Sequence, residues 1–299
     1  MESSIALDRS GRAPAALTPD ALMWEVVGDV RLSLVFLGAL VEQTMHPVIG
    51  TAVGEYSAYR ADPWGRAQRS IDSVNLWVYG GEGALAEGRR LRELHKPVKG
   101  VDNHGQPYHA NNNEPYAWVH ATLFERLVTM RRLFADPLTA SEQDRLYDEF
   151  LQVGANQLIP AAAMPGSVAA YWEYFEEMVS TRLENHATAR DVLTVVRRDA
   201  APFPFLPTAL NPLWPAFARS VGSPAYWLAV GTLPSGVRDI LGVRWTERDE
   251  RRLAAVGATI RMTVPALPER LRYYPYAYAA RRAAASHRRV IARALRRIA

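Results

Sequence analysis

Residues 114–135, EPYAWVHATLFERLVTMRRLFA, read as one long helix, and that helix decides the fold class. It carries Trp118, His120, Leu123, Leu127 and Met130, a predominantly apolar set at helical spacing that other helices must cover. A polar loop, GVDNHGQPYHAN at 100–111, precedes it. Before the loop, a helix from about Glu82 to His95 is ended by Pro97 and Gly100. Another follows Asp62-Pro63-Trp64-Gly65, with Asp62 as its cap; it carries Ile71, Val74, Trp77 and Val78 and stops at Gly80-Gly81. A first helix is expected from about Asp20 to Thr44, opened by Thr18-Pro19 and limited by Pro47. Its apolar face is Leu22, Val26, Val30, Leu34 and Leu37.

Downstream, capping-box spacing marks three more helix starts: Thr139 with Glu142, Thr188 with Asp191 and Thr246 with Asp249. The Pro-rich run 202–215 reads as a bent connection, and residues 246–264 and the tail from about Tyr276 read as helical. No stretch shows sustained two-residue alternation. The expectation is an all-α protein: one globular helical domain over 18–269, a loose leader at 1–17 and a basic amphipathic helix at 270–299.

Composition narrows the chemistry. Hydrophobic residues make up 48% and charged residues 22% of 299, which suits a globular chain able to bury its own core. There are no cysteines, so disulfides, thiolate-bound zinc, iron–sulfur clusters and thiolate-ligated or c-type haem are excluded. Any metal must be held by His, carboxylate, Tyr or Met. The most apolar run, Leu32 to Val41, is too short to span a bilayer and is bounded by Arg31 and Glu42. The opening MESSIALDRSGRAPAAL lacks a continuous apolar stretch, so a cytoplasmic protein is expected.

The formal charge of +4 hides an asymmetry. Nine of the 35 basic residues are arginines within 270–299, where no acidic residue occurs; the remainder carries 26 basic and 31 acidic groups, a balance of −5. The stripe Ala277, Ala280, Ala284, His287, Ile291, Leu295 and Ile298 backs this arginine helix. Docking on the acidic body and peripheral contact with an anionic membrane both remain open. Nucleic acid is not expected as a partner, because the tail carries no recognisable reading module.

Of seven histidines, His104 and His109 fall in the polar loop, His186 is expected at the surface and His287 lies in the tail. His46, His95 and His120 sit among apolar helical residues, where each is either a metal ligand or a neutral, hydrogen-bonded core histidine. Glu42 and His46, four apart, could share a non-haem metal, but the paired Glu-x-x-His pattern of di-iron bundles is absent.

Several blocks occur in a fixed order: His46-Pro47; Tyr59-Arg60-x-Asp62-Pro63-Trp64-Gly65-Arg66; Arg69-Ser70; Leu94-His95; and Trp118-Val119-His120-Ala121-Thr122. Over roughly residues 30–265 the chain resembles the rubber-oxygenase (MpaB-type) catalytic-domain superfamily, which includes latex clearing protein. The resemblance implies a helical domain enclosing a pocket for b-type haem iron, with His95 as the iron ligand, 29 residues after Arg66. It implies Arg66 and Ser70 on the opposite side, one helical turn apart, with the guanidinium stabilising negative charge that develops on dioxygen. Ser70 stands where threonine is usual, keeping the hydroxyl and losing a methyl. Glu42 and Glu55 are the glutamates available as a base, with Glu55 taken as the candidate; His120 and Thr122 are expected against the cofactor. Arg60, Arg89 and Arg126 are candidates for its propionates. The implied activity is oxidation or cleavage of a small apolar, isoprenoid-like substrate by dioxygen; the alternative is a non-catalytic haem- or lipid-binding protein of the same fold.

Overall fold

The long central helix forms as its sequence requires. In the computed structural model, which describes residues 14–198 and 214–298, it spans Asn113–Phe134 (α6), and it buries Trp118, Phe124, Met130 and Phe134 completely. A helix apolar over most of its surface must lie inside a bundle. Around it, among the described residues, are thirteen further α-helices. α1 is Leu22–Val26, α2 Ser33–Thr44, α3 Pro47–Tyr56, α4 Pro63–Tyr79 and α5 Gly83–His95. After α6 come α7 Ala140–Asn156, α8 Val168–Thr181, α9 Ala187–Arg198, α10 Trp214–Thr232 and α11 Ser235–Leu241. α12 Glu247–Thr263, α13 Glu269–Arg272 and α14 Pro275–Ile298 complete the set. The chain is all-α, as its patterning predicts. α2, α7 and α12 pack directly on α6, and α4 pairs with α5.

An aromatic knot ties α6 to α7 and α8. Phe124 has ring centroids of Tyr147 and Tyr171 each 4.8 Å away, both edge-on, the arrangement ring quadrupoles favour. Each buried hydroxyl is satisfied: Tyr171 donates to Ala121 O (2.8 Å) and Tyr147 to Pro165 O (2.7 Å). The boxes at Thr139/Glu142 and Thr246/Asp249 form as expected, each satisfying otherwise orphaned helix N–H groups.

Four local expectations change. The first long helix is broken: α1 ends at Val26, and a short 3₁₀ turn at Val30–Leu32 precedes α2. The cause is tertiary. Asp29 makes a β-bridge with Tyr273, Gly28 O accepts from Tyr274 N (2.9 Å), and a Cβ on Gly28 would sit 2.3 Å from Tyr79 Oη. The box at Thr188/Asp191 does not form. α9 starts at Ala187, His186 Nδ1 accepts from Thr188 N (3.1 Å), and Asp191 instead accepts from Tyr59 and Arg60. His186, expected at the surface, is buried against Gly50. The polar loop holds a small antiparallel hairpin, β1 Lys99–Val101 with β2 Pro107–His109, whose turn is closed by Asp102 accepting from His104 N and Gln106 N.

Residues 1–13 of the expected leader, and 202–213 of the Pro-rich connection, lie outside the described residues. Residues 14–17 lie on the body: Ala15 O accepts from Asn156, and Leu17 packs against the core. No single helix among the described residues is long and apolar enough to cross a membrane.

Candidate functional site

α4 and α5 bring Arg66, Ser70 and His95 into one region. α4 starts at Pro63 because Asp62 accepts from Gly65 N (2.9 Å) and proline suits the first helical turn. That start fixes Arg66 and Ser70 one turn apart, and Arg66 Nη1 donates to Ser70 Oγ. Neither acid that might have neutralised Arg66 does so. Asp62 caps the helix and pairs with Arg69 (3.2 Å), and Asp72 accepts from Gln68 (2.8 Å). Among the described residues Arg66 has no carboxylate partner, although burial and the neighbouring Arg69 both disfavour its charge.

His95 is the last residue of α5 and is half-buried. Its Nδ1 bonds Leu91 O at 2.8 Å, so Nδ1 carries the proton and the lone pair is on Nε2, for which no partner exists among the described residues. Burial lowers its pKa first; the backbone bond opposes this, and the charges of Arg66, Arg92 and Arg90 lower it further. The ring is therefore neutral at pH 7, the form a metal needs. Tyr116 stands edge-on to it at 5.9 Å and is itself covered by the Arg92 guanidinium, 3.7 Å from its ring centre. Arg92 is held in turn by Leu158 O (2.6 Å) and Asn111 O (3.2 Å). Neither Tyr116 nor Arg92 is singled out by the sequence. The signal available was the three-residue spacing of Arg92 from His95.

Further along α4, Val74 and Val78 continue the line of Arg66 and Ser70 and help line an apolar cavity of about 50 Å³. Phe36 of α2, Leu127 of α6, Phe150 of α7 and Tyr274 complete much of its wall. Trp77 also lines it, and its buried indole N–H has no hydrogen-bond acceptor among the described residues.

His120 lines this cavity too, but both ring nitrogens are committed. Nε2 donates to Phe150 O (3.1 Å), Nδ1 accepts from Gln157 (3.2 Å), and the ring stacks on Phe150 at 3.8 Å. Burial pushes its pKa down to about 4. Thr122 points to α2, accepting from Gln43 (2.9 Å) and donating to Val119 O (2.9 Å). Arg60 is exposed and paired with Asp191 at 2.6 Å, Arg89 is exposed, and Glu55 is exposed and accepts from Tyr108 (3.3 Å). The structure thus groups Arg66, Ser70 and His95, sets His120 at the cavity, and turns Thr122, Arg60 and Glu55 to other partners.

The third candidate arginine, Arg126, is fully buried between two carboxylates. It pairs with Glu125, and its Nη2 lies 2.9 Å from Glu42 Oε1, in an alignment that leaves both Glu42 oxygens without a hydrogen-bond donor among the described residues. Arg126 Nη1 donates to Thr232 O (2.9 Å), and Thr129 donates to Glu125 (2.6 Å). Burial holds the Glu42 carboxyl well above the usual range, with Glu125 adding to the effect and Arg126 opposing it. Glu42 therefore faces Arg126 rather than sharing a metal with His46. His46 is buried, and its Nε2 faces Glu114 at 3.8 Å. No group of three or more His, Asp or Glu among the described residues could hold a bare metal ion.

The donor chemistry of α4 and α5 fits a haem iron: one neutral imidazole with no partner on Nε2 and, near it, a guanidinium with no carboxylate partner among the described residues, while the apolar cavity beyond them is walled by neither His95, Arg66 nor Ser70. The cavity as it stands is small beside ligand pockets of roughly 300–1,000 Å³, so a macrocycle requires its walls to part. No curated protein and no solved structure matches the chain. Residues 24–262, most of the described body, match the family described as ER-bound oxygenase mpaB/B'/Rubber oxygenase, catalytic domain, and the chain belongs to that family.

Proposed function

We propose that the chain is a haem-dependent oxygenase that uses dioxygen to oxidise or cleave a small apolar organic substrate, with His95 as the iron ligand. The observation that carries this reading is the state of His95. Its ring is anchored through Nδ1 and neutral, and it lies within the field of Arg66; among the described residues its Nε2 has no partner and that guanidinium has no carboxylate. A porphyrin supplies four of the iron's donors, so one imidazole suffices where no three-residue metal cluster exists among the described residues. Bound haem would supply the activation of dioxygen. Tyr116, Arg92 and Leu91 O keep the imidazole oriented. Arg66, steadied by Ser70, offers fixed positive charge where negative charge develops, without the reorganisation that water would need. The cavity wall is mostly apolar, and the one arginine in it, Arg126, is ion-paired, which suits an uncharged substrate.

The test is reconstitution of the full chain with haemin. A Soret band is expected that His95→Ala abolishes or shifts, together with dioxygen uptake on an apolar olefin panel that Arg66→Gln lowers while haem stays bound. A chain that takes up no haem would overturn the reading. A second reading, a non-catalytic haem-binding protein, is favoured by one observation: Glu55, the candidate base, is exposed and held by Tyr108. It predicts the same spectrum with no substrate-dependent dioxygen uptake.

A further inference from the structure

The first half of α14 belongs to the body. Ala277 is fully buried, Ala280 and Ala284 pack on the core, and the Tyr276 ring lies 6.2 Å from that of Tyr79. Beyond Ala285 the described side chains are exposed, although Arg288 still acts on Asp20 of the body. His287, Arg288, Arg289, Val290 and Ile291 are all exposed, Val290 by 63%. Docking of the stripe on the acidic body, one of the two expectations, holds through Ala284 and not at His287 or Ile291, and the side chains of Leu295 and Ile298 lie outside the described residues.

The apolar exposure is not scattered. Of the ten large hydrophobic side chains exposed among the described residues, six lie between 262 and 291: Met262, Leu267, Leu271, Tyr276, Val290 and Ile291. The same segment holds the nine tail arginines, with no acidic residue from 270 onward. Only Arg281 is paired with a carboxylate there, Glu269 at 3.4 Å, among the described residues. Scattered single hydrophobics need no explanation, but a concentration of them within a block of arginines that far outnumber the carboxylates near them, Glu269 beside Arg281 and Arg282 and Asp20 near Arg288, does.

We infer that this C-terminal segment, from Met262 through α14, is a docking surface for an anionic lipid bilayer. The chemistry matches on both counts. Arginines meet lipid phosphates through bidentate hydrogen bonds, and long cationic side chains can keep their heads at the phosphate level while apolar neighbours enter the acyl boundary. An acidic protein partner would meet the charge but leave Val290 and Ile291 unexplained. The root of the helix also contributes to the cavity, since Tyr274 is one of its wall residues. The bilayer would then supply the apolar substrate directly, a clause that rests on the proposed function; the docking itself does not.

Flotation of the full chain with vesicles of phosphatidylcholine alone, and of phosphatidylcholine with phosphatidylglycerol, tests it without reference to haem. Binding is expected to the anionic vesicles only and to fall as salt is raised. Arg288→Gln with Arg289→Gln should weaken it roughly tenfold or more, because each cation near the surface contributes severalfold. Val290→Ser with Ile291→Ser should weaken it roughly tenfold by removing apolar insertion, and both pairs should leave the helical circular dichroism unchanged. The inference is overturned if the chain fails to float with anionic vesicles, or if both double variants float like the unaltered chain. A tail-dependent dimer that binds no vesicles would likewise overturn it and assign the face to a second copy.

Discussion

Lowering the pH from neutral tests how firmly burial keeps His120, a residue of the cavity wall, uncharged. His120 is 2% exposed, stacked on Phe150, with Nε2–H bound to Phe150 O and Nδ1 accepting from Gln157. Burial holds its pKa at about 4, against an ordinary 6.5. The unfolded chain therefore takes up this proton before the folded protein does. The stabilisation is present in full above pH 6.5 and is lost as the pH falls towards 4. At about 1.4 kcal/mol per pKa unit, the whole gap corresponds to roughly 3 kcal/mol. Other carboxylates titrate over the same range, so the comparison must be with His120→Gln, which cannot ionise. Urea unfolding at about pH 7 and about pH 4.5 should show the unaltered protein losing roughly 2–3 kcal/mol more than the variant. At neutral pH the variant should itself be weaker by roughly 1–3 kcal/mol, having lost the stack on Phe150. If the two proteins lose stability in parallel on acidification, His120 is not held neutral by burial, and the account of the cavity wall is wrong.

Two further perturbations address the buried charges and the helix break. Arg126→Met strands Glu42 and Glu125 in the interior and should cost roughly 3–5 kcal/mol in urea unfolding. Glu42→Gln should be neutral or stabilising at pH 7, because a carboxyl whose folded pKa is raised loses stability as the pH climbs through that value; equal losses from both variants would contradict this. Gly28→Ala places a methyl 2.3 Å from Tyr79 Oη and 2.8 Å from Ala277 Cβ, and Tyr79 is itself tied to Trp24 O (2.8 Å). Thermal unfolding should report a loss of roughly 1–3 kcal/mol.

What could be read in advance was local. Asp62-Pro63, the two capping boxes and the helix-ending Pro97 act within a turn of the residues they govern, so α4, α5, α7 and α12 were legible from spacing. The pairing of Arg66 with Ser70 was legible for the same reason. Features set by distant partners were not. The break after α1 answers to Tyr273 and Tyr274, which are remote in sequence. Thr188 and Asp191 have the right spacing, but Tyr59 and Arg60 draw the carboxylate away. The clamp of Gln157 on His120, and the enclosure of Arg126 by Glu42, likewise join residues on separate helices. His186 was expected at the surface from its polar neighbours, whereas Gly50 leaves room for its ring inside.

The stitch between residues 28–29 and 273–274 also sets an order of events during synthesis. The wall that Tyr274 completes cannot exist until the ribosome has released that tyrosine, long after α1, α2 and α4 have emerged. Helices made early must wait with an apolar flank uncovered, the interval in which nascent chains are most prone to stray association. Any guest loaded into the cavity would therefore meet a complete wall only once Tyr274 has emerged and joined residues 28–29.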